Sequence, residues 1–337
     1  MDPLTQGALG AIAAQSAAKR KHLAIAAAVG WLSGMAPDLD VLIRSPSDPL
    51  LFLEYHRQFT HSLLFIPVGG LICALVLHGV FARRYLGFGW TLLYATIGFA
   101  THGMLDACTT YGTQLLWPLS NERFAWNIVS IIDPAFTVPL CMLGYLACRR
   151  RKPAFSRVAL AWAFSYLLLG TVQRERAEEV GAELAHQRGH EPLRLEAKPS
   201  FANLLVWKIV YETTDFFHVD AVRVGLAGAR VYGGEKIRKL DVATQFPWLD
   251  ANAQQAWDIR RFDWFSNRYL ALSPRDPLLI VDIRYSLVPN QADGLWGIRL
   301  DRNALHAAHV DYVTARTDGR AGLELLWEMV RGSGGKP

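Results

Sequence analysis

The chain has 337 residues, 51% of them hydrophobic and 19% charged, with a formal net charge of +5. Its long apolar runs lie before residue 173 and its charged residues crowd the remainder, which excludes an ordinary soluble enzyme, a disordered chain and a collagen-like or low-complexity protein. The four cysteines, Cys73, Cys108, Cys141 and Cys148, offer neither a disulfide framework nor a CxxC metal site.

In chain order, residues 8–18 form a short alanine-rich apolar stretch, read as a half-buried or tilted helix. Lys19-Arg20-Lys21 follows this stretch, the reverse of the order in a secretory signal. Apolar runs at 22–43, 62–82, 87–108 and 128–148 reach the roughly 20 residues that a bilayer crossing needs, and a fifth at 154–172 carries only Arg157, which can snorkel. Lysine and arginine collect on the cytoplasmic side of membrane helices. Placing Lys19–Lys21, Arg83-Arg84 and Arg149–Lys152 inside lets the runs alternate without conflict. The loops at 44–61 and 109–127 and everything after 173 then face outward.

Residues 174–189 read as a charged helix leaving the membrane. Beyond 200, Leu204–Tyr211, Val222–Tyr232, Pro277–Val288, Gly294–Leu300 and His309–Ala315 read as short strands, 321–331 as a terminal helix, and 332–337 as a frayed end. The expected architecture is an α-helical multi-span membrane domain over 1–172, with about five transmembrane helices plus a short N-terminal helix. A charged helical linker over 173–199 and a β-rich α+β extracytoplasmic domain over 200–337 follow.

Ionisable side chains inside apolar segments are costly and need a partner or a purpose. Asp38 and Asp40 end the first long run, His56 and His61 flank the start of the next, His102 and Asp106 end the third, and Asp133 opens the fourth. In the topology above all seven reach one depth, at the outer face. His102 and Asp106, four apart, share a helix face, and a mixed imidazole–carboxylate set suits a divalent metal, zinc foremost, with manganese or iron compatible. Asp38 and Asp40 project together if their segment is extended. His56 and His61, five apart, do not share a helix face, so one belongs to the loop. One metal, or two bridged by a carboxylate, would lower the pKa of bound water and supply hydroxide. Arg57 could fix an anion such as phosphate, and Asp133 could orient a ligand imidazole or act as general base.

Each residue also has a plain structural reading. Asp38 could cap a turn, Asp133 could N-cap a helix with Pro134 at its first position, and His102–Asp106 could be a buried hydrogen-bonded pair. Convergence from four segments favours the metal site. His186, His190, His306 and His309 read as solvated, and His22 and His78 fall at the opposite face. HExxH, Walker and GxSxG motifs are absent, as is a basic–aromatic array for nucleic acid.

The segments MDPLTQGALGA, APDLD, HRQFTHSLLF, HGMLDACTTYGTQLLWPLS and IIDP, in this order, resemble the YdjM-like, LexA-regulated inner-membrane metal-dependent hydrolase family. FANLLVW, FDWFSNRYLAL and VDIRYSL resemble its longer members with an appended domain. The resemblance implies a multi-pass protein of the bacterial cytoplasmic membrane with Asp38, Asp40, His56, His61, His102 and Asp106 as metal ligands. Some members carry histidine where this chain has Gln6, which leaves Gln6 at most behind the ligands. The His-xxx-Asp helix is also similar to that of zinc-dependent phospholipase C and related nucleases, which implies a phosphoester substrate, in a lipid or lipid-linked molecule reaching the site laterally. The tail domain would cover the site or select the substrate. The alternative is a non-enzymatic metal-binding membrane scaffold or envelope-stress interaction protein.

Overall fold

The computed structural model describes residues 1–226, 228–314 and 319–334. The chain divides into two compact units, one of residues 1–43, 55–171 and 201–203, the other of 44–54, 172–200 and 204–337.

The first unit is helical. Helix α1 (Pro3–Ser16) starts on Asp2, whose side chain accepts from the Thr5 backbone N–H, with Pro3 at the first helical position. A half-buried or tilted helix is expected here, whereas Thr5–Gln15 are all buried. Glycines allow this. A Cβ on Gly10 would lie 2.4 Å from the Gly30 carbonyl oxygen, and one on Gly98 would lie 2.5 Å from the same atom. Three helices, α1, α2 (Leu23–Met35) and α5 (Phe88–Ala107), therefore meet backbone to backbone, the packing that small residues permit within membranes.

The run at 22–43 is not one α-helix. Pro37 lacks an N–H and its ring crowds the carbonyl one turn back, so α2 ends at Met35 and the chain continues as a 3-10 turn over Ala36–Leu42. A short α3 (Leu51–Tyr55), α4 (Ile66–Val80), α6 (Pro134–Arg150) and α7 (Ala154–Gln187) complete the helices of the N-terminal half. Three helical stretches among the described residues are long and apolar enough to cross a membrane: Arg20–Leu42, Leu63–Val80 and Ala154–Gln187. The unit buries polar side chains within an otherwise apolar core and exposes apolar ones on its outer surface. Thr5, Gln6, Thr91, His102 and Asp106 are fully buried, whereas Leu75, Val76 and Val80 on α4, Val138 and Met142 on α6, and Phe164 and Leu168 on α7 are exposed. Such a surface suits lipid.

The unit has two chemically distinct ends. At one, Gln15 donates to the Gly144 carbonyl (3.2 Å) and accepts from Ser156 (2.9 Å), and His22 Nδ1 meets Tyr94 Oη at 3.2 Å. The three basic clusters lie on this end. At the other, Thr5 meets Thr137 at 2.6 Å and Gln6 donates to Asp106 at 2.9 Å.

The second unit holds two antiparallel four-stranded meanders. The first is β1 (Arg194–Pro199), β2 (Val206–Glu212), β3 (Phe216–Gly225) and β4 (Gly228–Arg238); the second is β5 (Leu270–Ser273), β6 (Asp276–Asp282), β7 (Trp296–Arg299) and β8 (Asp311–Thr314). Between and after them come α8 (Val242–Gln245), α9 (Gln254–Phe265) and α10 (Gly319–Arg331). The strand expected at Val222–Tyr232 is in fact parts of β3 and β4, and β1, β5 and α9 were not expected. Ala227, Ala315 and residues 335–337 lie outside the described residues. The C-terminal part of α7 packs on the first sheet, where a Cβ on Gly181 would lie 2.8 Å from the Ile209 side chain; just past the helix, Arg188 binds Asp220 through two nitrogens (2.6 and 2.9 Å), and His190 meets Tyr211 Oη at 2.9 Å instead of facing solvent.

Two buried polar groupings stand out here. Lys198 and Lys208 are direct cross-strand neighbours, and both are buried. Lys198 pairs with Glu196, whereas Lys208 Nζ donates to two neutral groups, the Ser286 hydroxyl (2.8 Å) and the Gln291 carbonyl (2.7 Å), and forms no ion pair among the described residues. Burial first, then the Lys198 charge, push the Lys208 ammonium down to about 7. Arg261 on α9 gathers Asp48 (2.8 Å), Glu54 and Asp258 (2.9 Å), which fixes the 44–54 segment within this unit.

Candidate metal centre

The 3-10 turn after α2 decides how two carboxylates project. The sequence reading let Asp38 and Asp40 point together from an extended segment. The segment is a 3-10 turn, so Asp38 reaches His61 and His102 while Asp40 reaches His56 and His61, yet one oxygen of each still lies within 4.8 Å of the other. Asp38 Oδ1 lies 3.5 Å from His61 Nε2 and 3.3 Å from His102 Nε2. Asp40 holds His56 Nδ1 at 2.7 Å and His61 Nδ1 at 3.2 Å, and accepts from the Arg57 backbone N–H at 3.0 Å and the Thr60 hydroxyl at 2.8 Å.

His102 and Asp106 extend from one face of α5, Nε2 to Oδ2 at 3.6 Å. His61 ends a 3-10 turn (Phe59–His61) that presses on α5 at Gly103, where a Cβ would lie 2.2 Å from the His61 carbonyl oxygen. Only glycine admits that approach, which brings His61 Nε2 to 3.2 Å from Asp106 Oδ2 and 2.9 Å from His102 Nε2.

Both imidazoles are set by their far nitrogens. His102 Nδ1 lies 2.6 Å from the Gly34 carbonyl oxygen and so carries its proton there; His61 Nδ1 is held by the Asp40 carboxylate. The two Nε2 lone pairs are left converging with Asp38 Oδ1 and Asp106 Oδ2. Five of the six edges among these four donors run from 2.9 to 3.6 Å, and the sixth, Asp38 to Asp106, lies within 4.8 Å. A tetrahedron of ligands at about 2.0–2.1 Å from zinc has edges of about 3.4 Å. Charge agrees: among the described residues the three carboxylates of Asp38, Asp40 and Asp106 meet two non-histidine cationic groups, Arg57 at 3.0 Å from Asp106 and the Met1 amino group on the same carboxylate. The donor set thus fits a divalent cation. A second group, Asp38, Asp40 and His56, shares Asp38 with the first and is more open, its His56 side chain being 17% exposed.

Arg57 is 4% exposed, in left-handed backbone (φ 65°), and its guanidinium meets Asp106, the Thr109 hydroxyl (2.9 Å) and the Tyr111 ring (4.6 Å). It braces Asp106 from behind. Asp133 N-caps α6, its Oδ1 accepting from the Ala135 and Phe136 N–H groups and its Oδ2 from the Tyr166 hydroxyl at 2.7 Å. That is the capping reading the sequence also allowed. Gln6 Nε2 donates to Asp106 Oδ1 at 2.9 Å, and the Met1 amino group contacts the same oxygen. The Gly34 carbonyl and Tyr111 were not singled out from sequence. Neither backbone acceptors nor an aromatic in a TTYG loop leave a mark there.

A model of the YdjM inner membrane protein family matches residues 1–177, the segment that contains every residue of this centre. The chain belongs to the YdjM inner membrane protein family. The inner membrane protein YbcI of Escherichia coli (strain K12) is 30% identical over 149 residues, 42% of this chain and 79% of that relative. No solved structure matches the chain. The family match stops short of both β-sheets, so family membership attaches to the helical part and its acid–histidine cluster.

Proposed function

We propose that this protein is a membrane-embedded metal-dependent hydrolase acting on a phosphoester in a lipid or lipid-linked substrate. The observation that carries the reading is the convergence of the His61 and His102 Nε2 lone pairs with Asp38 and Asp106. Zinc is the favoured ion, with manganese or iron compatible with the same donors. Such an ion supplies Lewis acidity and an activated water. Asp38, His61, His102 and Asp106 hold it. Asp40 and the Gly34 carbonyl keep the imidazoles in the ligating tautomer, and Arg57 with Gln6 fixes the Asp106 carboxylate. His56, held by Asp40 through Nδ1 and partly exposed, keeps Nε2 free to take a proton from the attacking water and pass it to a leaving oxygen. The centre lies at the end of the bundle away from the basic clusters. By the positive-inside rule that is the outer face, and a five-span arrangement puts the second unit outside as well.

A second reading is a metal-holding scaffold without catalysis. Four protein donors make a closed shell of the structural type, and the Arg57 guanidinium is engaged by Asp106. The more open Asp38–Asp40–His56 group favours catalysis.

The test is metal analysis of detergent-purified wild type beside a His102→Ala/Asp106→Ala variant, with hydrolysis of bis(p-nitrophenyl) phosphate and of a fluorescent phospholipid. Stoichiometric metal and hydrolysis, both lost in the variant, support the enzyme. Metal without hydrolysis gives the scaffold. Full activity in the variant overturns the mechanism.

A further inference from the structure

At the end of the bundle opposite the metal centre, a crevice of about 490 Å³ opens beside the start of α2, lined by Lys21, His22, Ala24, Ile25 and Tyr85. Its surroundings are basic without compensation. Residues 3–37, 55–105 and 134–174 contain no aspartate or glutamate, yet they carry Lys19–Lys21, Arg83-Arg84 and Arg149–Lys152. Lys21, Arg83 and Arg84 are exposed, and among the described residues none of them pairs with a carboxylate. The aromatic frame is fixed: Lys19 Nζ lies over the Trp90 ring at 4.7 Å, and His22, its Nδ1 taken by Tyr94, packs edge-on to Trp90 at 5.6 Å.

We infer that this crevice binds the phosphate of an anionic lipid headgroup. Lys21 offers a point charge, His22 Nε2 and the Tyr85 hydroxyl offer polar partners, and the volume exceeds what a bare anion needs. Ala24 and Ile25, on the first turn of α2, extend the lining into apolar surface, as the root of an acyl chain requires. A soluble phosphate would gain nothing from that wall. Basic pockets at helix ends on the cytoplasmic side of membrane proteins take lipid headgroups by this combination of charge and apolar floor.

Delipidated protein titrated with phosphatidylglycerol or phosphatidylcholine and read by native mass spectrometry tests the inference. Phosphatidylglycerol should bind first and tighter. Lys21→Gln should weaken it about fivefold, the effect of one basic side chain at an anionic headgroup, and Lys21→Arg should restore it. Arg150→Gln removes the same charge outside the crevice and should leave it unchanged. Equal affinity for the two lipids, or equal losses in Lys21→Gln and Arg150→Gln, would overturn the site. Displacement by millimolar inorganic phosphate would overturn the lipid as the source and assign the crevice to a soluble phosphate.

Discussion

The Nε2 atoms of His61 and His102 face each other across 2.9 Å, and each ring's proton is committed to its other nitrogen. If both rings are neutral, two lone pairs meet at that distance, and a metal cation or a shared proton between them relieves the repulsion. The protein has invested an Asp40 carboxylate and a Gly34 carbonyl in maintaining the arrangement, so the residues behind the ligands matter nearly as much as the ligands.

Asp40→Asn should therefore weaken metal retention about 10- to 100-fold, the usual effect of losing a carboxylate behind a ligating imidazole, with the tetrad intact. Chelator competition on purified protein measures it. Retention equal to wild type would remove Asp40 from the centre.

Gly103→Ala adds one methyl group and deletes no ligand. Because the new Cβ would meet the His61 carbonyl oxygen, the 3-10 turn must lift off α5 and take His61 with it. Metal content should fall as in a ligand mutant while helix content is unchanged by circular dichroism. Normal metal content would show that the turn has slack.

Arg261→Ala leaves Asp258, buried in full, with Asp48 and Glu54 beside it and no guanidinium. Removing one partner of a buried charge grouping costs about 3–5 kcal/mol. Limited proteolysis should cut at 44–54 well before it does in wild type; an unchanged pattern would contradict the tether.

Lys208 gives a pH signature. Its ammonium is lowered in the native state to about 7 from an unfolded value of 10.5, so between those values the unfolded chain binds the extra proton. Stability of the second unit should rise as pH rises through that window and be flat just below it. Lys208→Met should remove the slope and raise the thermal midpoint at pH 7. Scanning fluorimetry of the full chain in detergent at pH 7 to 9.5 reads both, and a flat wild-type profile would refute the assignment.

How much of this was legible follows from what each residue costs. Aspartate and histidine inside apolar runs are expensive, so Asp38, Asp40, His56, His61, His102 and Asp106 stood out, and the structure brings them into two groups sharing Asp38. Asp133 stood out for the same reason but is occupied as a cap. Backbone geometry left weaker traces. Pro37 marked a break, yet the 3-10 path that gives Asp38 and Asp40 different histidine pairs depends on packing that the local sequence does not show. The burial of α1 rests on glycine contacts with α2 and α5, invisible without their partners. In the tail, α9 was hidden because its buried face carries Asp258 and, beside it, Arg261, charges that look solvent-facing until their partners are known. Strands β3 and β4 merged into one in the sequence because residues 224–229 carry no polar side chain to separate them.

The glycine seam between α1 and its neighbours also constrains how the protein is made. Fourteen helical residues extend about 21 Å, short of the roughly 30 Å hydrocarbon layer, and Thr5, Gln6 and Gln15 have no place against acyl chains. Helix α1 thus has to wait for α5 before it can settle, and the candidate metal centre, where Gln6 of one meets Asp106 of the other, is completed only when that docking occurs.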